Sequence, residues 1–68
     1  MKLPTLISEY SGEDEAGHVF DVIAHMPNGD MQQTQVFADN HHDALHLAAC
    51  EWEIGDYAFK QRGDNPIA

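Results

Sequence analysis

The sequence predicts an α+β fold: a three- or four-stranded, mainly antiparallel sheet with one helix packed on one face, built on a β-β-α-β core. Three observations predict it. The stretches HVFDVIAHM (18–26) and MQQTQVFA (31–38) are rich in β-branched and aromatic residues and flank Pro27-Asn28-Gly29-Asp30, where Asn-Gly is a strong hairpin signal. The segment HHDALHLAACEWE (41–53) contains no Gly or Pro and repeats its apolar residues at helical steps. After it, DYAFKQR (56–62) has strand character.

In chain order, LPTLISEY (3–10) offers a fourth strand, which Pro4 confines to a start at a sheet edge. SGEDEAG (11–17) reads as a flexible acidic loop. In 18–26, alternation puts Phe20, Val22, Ala24 and Met26 on the core face and Val19, Asp21, Ile23 and His25 on the other. Asp39 or Asn40 caps the helix, with Asp43 three residues after Asn40 in a loose capping box. Ala44, Leu45, Ala48, Ala49 and Trp52 form its apolar stripe, with Leu47 beside it, and Gly55 suits a left-handed C-terminal cap. In 56–62, Tyr57 and Phe59 share one face and Ala58 and Lys60 the other, while GDNPIA (63–68) is expected to fray as a flexible tail. No repeat or linker interrupts residues 1–68, which read as a single domain. One helix covers one sheet face, so the Val19 and Ile23 face is left to solvent, to self-association or to a partner.

Composition narrows the functional classes. Twelve Asp and Glu against three Lys and Arg give a formal charge of −9, and self-repulsion of this size opposes a compact state. Lys2, Lys60 and Arg62 are too few to hold nucleic acid directly. A single cysteine, Cys50, excludes an internal disulfide and fits a reducing, cytoplasmic setting. The first residues, MKLPTLISEY, hold no apolar run of the length a leader or membrane span needs. A Gly-rich phosphate loop, a CxxC pair and a GxSxG elbow are all missing from the sequence, so neither catalysis nor a cofactor is expected. His42, His46 and Cys50 form an i, i+4, i+8 row, and His42-Asp43-Ala44-Leu45-His46 echoes HExxH with Asp for Glu. That spacing arises readily by chance, and the expectation is solvent-facing or half-buried histidines, Cys50 as a small core-edge residue, and no metal.

Some acids have a local use: Asp39 and Asp43 favour a helix N-terminus, Asp30 a turn, and Asp64 the tail. Others do not. Glu51, Glu53 and Asp56 sit at the helix C-terminus, where the dipole prefers cations by about 0.3–1 kcal/mol each. Glu13, Asp14 and Glu15 are consecutive, and Asp21 interrupts an apolar strand. These seven are the candidate partner-binding residues. A compact chain of this length is about 28 Å across; over that distance duplex DNA carries about 16 phosphate charges and one strand about 8, so the protein approaches a single phosphate strand.

In size, charge and build the chain resembles the small acidic anti-CRISPR proteins of phages, some of which mimic DNA. The resemblance implies a non-enzymatic inhibitor, monomer or weak homodimer, whose seven acids meet a basic nucleic-acid-binding partner, a CRISPR effector subunit, in the host cytoplasm. In layout the chain also resembles HicB-like antitoxin domains: LPTLISEY, HVFDVIA, QQTQVFA and then a helix opening on Asp39, Asp43, Ala44 and Leu45. That second resemblance implies a protein-interaction module that binds through the exposed sheet face.

Overall fold

The computed structural model describes residues 2–66. Five elements follow in order: β1 (Thr5–Asp14), β2 (Gly17–His25), β3 (Met31–Phe37), α1 (His41–Glu51) and β4 (Ala58–Arg62). They build a four-stranded sheet in the order β3-β2-β1-β4, with the helix against one face. β1 with β2 and β2 with β3 pair antiparallel, while β4 runs parallel to β1. The expected α+β architecture therefore holds, with one parallel pair among the three.

The first strand departs from expectation twice. It is central, not an edge, because Pro4 lies just before it and contributes its carbonyl, which accepts from Ala58 N–H at 2.9 Å. A proline lacks only the donor, so it can open a ladder that needs its oxygen. The expected loop at 11–17 is likewise mostly strand: Gly12, Glu13 and Asp14 pair with Val19, His18 and Gly17 around the turn residues Glu15 and Ala16. The register shifts between Tyr10 and Gly12, leaving Ser11 as the extra residue of a bulge, with Gly12 at φ 133°. Backbone pairing suffices to hold this extension, which needs no core beneath it and so tolerates acids. It draws the molecule out to 39 × 19 × 17 Å, longer than a sphere of this chain length.

Between β2 and β3, Gly29 takes the positive φ (96°), Gly29 N–H donates to Met26 O, and Met26 N–H donates to Asp30 O at 2.8 Å. Pro27 and Asn28 thus turn the chain and Gly29 closes a three-residue hairpin loop. On the covered face Leu6, Phe20, Val22 and Ala24 pack against Ala44, Leu45, Ala48 and Ala49, all buried. Alanines let the helix lie close, and burial of Leu6, Phe20 or Val22 contributes about 1.5–3 kcal/mol each. Met26, expected in the core, lies at its margin with Tyr10, Val36 and Trp52.

Asn40 caps the helix: its Oδ1 accepts from Asp43 N–H at 2.8 Å. At the other end the helix stops at Glu51, two residues short of expectation, and the left-handed position falls on Glu53 (φ 57°) and not on Gly55. Ile54 N–H donates to Ala49 O (2.8 Å) and Glu53 N–H to Cys50 O (3.2 Å), the paired bonds of a Schellman motif. Ile54 packs on the core, and this anchor fixes where the chain must reverse. The segment expected to fray is held at its start: Asn65 Oδ1 accepts from His41 N–H at 2.9 Å. Parallel β4 carries the chain back past the helix start, which is why the contact exists. Residues 67 and 68 of that segment lie outside the described residues.

Candidate partner-binding surface

The seven candidate acids do not form one surface. Glu13, Asp14 and Glu15 are at the β1–β2 tip, Glu51, Glu53 and Asp56 follow the end of the helix, and Asp21 lies on the open sheet face. Asp14 closes one end of ten-residue β1, whereas Asp56 precedes Ala58, which pairs with Thr5 at the other end. At about 3.3 Å per strand residue, Asp56 stands roughly 30 Å from the tip, while Glu51, bonded to Thr34 level with Val22 and Ser8, stands roughly 20 Å from it. Among the described residues the one Lys or Arg ion pair is Arg62–Glu9 (3.6 Å), so none of the seven is neutralised by a permanent cation.

At the tip, two of the three acids have local partners. Asp14 Oδ1 accepts from Ala16 N–H at 2.8 Å, shaping the turn, and Glu13 Oε2 lies 3.5 Å from His18 Nδ1. His18 Nδ1 is also 2.9 Å from the Tyr10 hydroxyl. Between tip and helix lies a cavity of about 380 Å³, with His18, Phe37, Asp39, Asp43, His46 and Leu47 on its wall.

The helix end is different. Glu51 accepts from Thr34 Oγ1 at 3.1 Å, which aims its carboxylate along β3. Glu53 holds a left-handed backbone at φ 57°, a conformation costing a non-glycine residue about 1–2 kcal/mol. Both carboxylates stand in the negative field of the helix C-terminus, and no basic residue occupies the last turn. Glu51, Glu53 and Asp56 are all exposed.

On the open face, the ladder sets Glu9, Asp21 and Gln35 side by side. Like charges directly opposite are unfavourable, and Arg62 relieves Glu9. Asp21 Oδ1 is buried with no hydrogen-bond partner among the described residues. Ile7 is buried and Val19 and Ile23 are half-buried on the same face.

The histidines sort unexpectedly. His42 is 90% exposed, and His46 Nε2 lies 3.7 Å from Cys50 Sγ. Cys50 is exposed rather than at the core edge, since the buried stripe runs through Ala44, Leu45, Ala48 and Ala49 and leaves position 50 outside it. Among the described residues no three His, Cys, Asp or Glu side chains are grouped as a metal ion requires.

His41, which the sequence reading passed over, is the fully buried one. Its Nε2 is 3.2 Å from the Asp64 carbonyl. A carbonyl only accepts, so Nε2 carries the proton, and in the neutral ring Nδ1 accepts from Ser8 Oγ at 2.8 Å. Phe20 meets the ring edge-on at 4.9 Å between centroids. Ser8 and His41 are 0% and 1% exposed, so this Ser–His pair clamps β1 to the helix start and offers no atom to a substrate. A signal existed in the sequence: His41 directly follows the capping Asn40 and precedes Ala44 and Leu45 by helical steps, placing it on the buried stripe.

Among the described residues no helix is long and apolar enough to cross a membrane. No protein-family model, curated protein or solved structure matches the chain.

Proposed function

We propose that this protein is a non-enzymatic acidic inhibitor that occupies a lysine- and arginine-lined nucleic-acid-binding site on a partner, with a CRISPR effector subunit as the partner its resemblance implies. Glu51, Glu53 and Asp56 lead the contact. One observation carries the reading: Glu53 is an acid in a left-handed backbone position, where glycine is less strained, and in the negative field of the helix end, where a cation is more stable. Local stability accounts for neither choice, and a cationic partner accounts for the charge. With the tip acids about 20–30 Å from the helix-end acids, the imitation is of a short run of phosphates, not of a duplex across a whole face.

The test begins with the immobilised protein, bacterial lysate containing an active CRISPR effector, and identification of what elutes as salt rises. Binding to the recovered effector is then measured for two triple variants. Glu51→Gln/Glu53→Gln/Asp56→Asn is expected to weaken binding at least about tenfold and to flatten its salt dependence, with DNA competing for the same site. Glu13→Gln/Asp14→Asn/Glu15→Gln is expected to do less, since Asp14 and Glu13 are engaged within the tip. Undiminished binding by the first variant sinks the reading.

The open face supports a second reading, a HicB-like interaction module, through Asp21 Oδ1, a buried acceptor with no donor among the described residues. On that reading Val19→Glu or Ile23→Glu abolishes binding to a salt-resistant partner while the helix-end variant leaves it intact.

A further inference from the structure

The two edges of the sheet are built differently. β4 is five residues long and carries Lys60 and Arg62, charges that discourage a further strand from pairing there. β3, MQQTQVF, is seven residues long and is the one element of the fold without an acidic or basic residue. It has no proline, and its ladder to β2 runs without a register shift. Met31 is 63% exposed and Phe37 54%. These are the features of an edge left open to pairing.

Its free hydrogen-bonding groups can be assigned. Ala38 N–H donates to His18 O, and Met26 N–H to Asp30 O. In the alternation of an antiparallel ladder these bonds turn the backbone of the even-numbered residues toward β2. Met31, Gln33, Gln35 and Phe37 therefore point their N–H and C=O groups outward.

We infer that β3 pairs antiparallel with β3 of a second copy, about a two-fold axis at Thr34, joining two sheets into one of eight strands. This register uses the full strand: Gln33 meets the partner copy's Gln35, Thr34 meets Thr34, and Met31 meets Phe37. The outward backbone groups bond at Gln33 and Gln35, amide faces amide, and each exposed Met31 is covered by an aromatic ring. Charge selects the second copy as occupant. Two molecules of charge −9 repel, and β3 adds no acid of its own to that repulsion, whereas β1, β2 and α1 all do. A cationic partner has no counter-charge to find on it.

The same geometry fixes a signature. Thr34 holds Glu51 at 3.1 Å, so the two Glu51 carboxylates stand near the axis and oppose association. Dimerisation therefore strengthens with salt, the reverse of the salt dependence expected for the inhibitor contact, and the two proposals can fail separately.

Sedimentation equilibrium of the full chain over a range of concentration and salt tests this. Reversible dimers that grow with salt are expected, tightened roughly threefold by Glu51→Gln and abolished by Gln33→Lys/Gln35→Lys. In a Cys50→Ser background, Thr34→Cys is expected to form an intermolecular disulfide under mild oxidation, because Thr34 faces itself at a non-hydrogen-bonded pair about 4.5 Å apart. Gln61→Cys on β4 is expected to form none. A monomer at every salt and concentration with no Thr34→Cys cross-link overturns the inference and leaves the edge to a strand of another protein. Dimers that survive the double-lysine variant overturn it in favour of the open face.

Discussion

The two ends of the single helix are treated in opposite ways. At the N-terminal end Asn40 caps Asp43, Asn65 caps His41, and the His41 ring is fixed by Ser8, Asp64 and Phe20. At the C-terminal end the turn closes on a strained Glu53, with Glu51 and Asp56 nearby and no cation in the last turn. The chain's polar groups consolidate the fold at one end and oppose it at the other. Charge count alone does not separate the ends, since both carry acids; at the C-terminal end Glu51 finds Thr34, while Glu53 and Asp56 find no side-chain partner among the described residues.

His41 holds the N-terminal clamp together. Replacing it by alanine removes a buried ring and strands Ser8, so His41→Ala is expected to cost about 3 kcal/mol and lower Tm by roughly 15 °C. Urea unfolding measures it, and a loss below about 1 kcal/mol shows that the N-terminal clamp is not stabilising. Asn40→Ala at the same end is expected to cost about 1 kcal/mol, read in the same titration. At the opposite end the sign reverses: Glu53→Gly is expected to raise stability by about 0.5–1 kcal/mol, through relief of the left-handed backbone and of the dipole clash. A destabilised Glu53→Gly makes the two ends equivalent and removes the main argument for the helix-end surface.

The hairpin and the helix were legible because their signals are local. Pro27-Asn28-Gly29-Asp30 makes its turn from its own backbone preferences, and Asn40 with Asp43 states the cap within four positions. Four features were hidden for a common reason. The strand character of Gly12–Asp14 comes from pairing with His18 and Val19, not from its acidic composition. The centrality of β1 depends on β4, far along the chain. Ordering of Asp64 and Asn65 depends on the helix start, and the choice of Glu53 over Gly55 on where Ile54 finds the core. Of the candidate acids, the sequence marked all seven by the absence of a local use. The folded turn distinguishes Asp14 and Glu13, whose partners Ala16 and His18 lie two and five residues along the chain, from Glu53 and Asp56, which find no side-chain partner among the described residues.

The parallel pairing of β1 with β4 also orders events during synthesis. β1 leaves the ribosome first, yet one of its two hydrogen-bonding edges has no neighbour until β2, β3 and α1 have been made and β4 follows. Until then Leu6 and Ile7, both buried in the finished fold, flank an unpaired backbone in the nascent chain. At about 5–20 residues per second that exposure lasts a few seconds, an interval in which chaperones and neighbouring nascent chains can reach the strand.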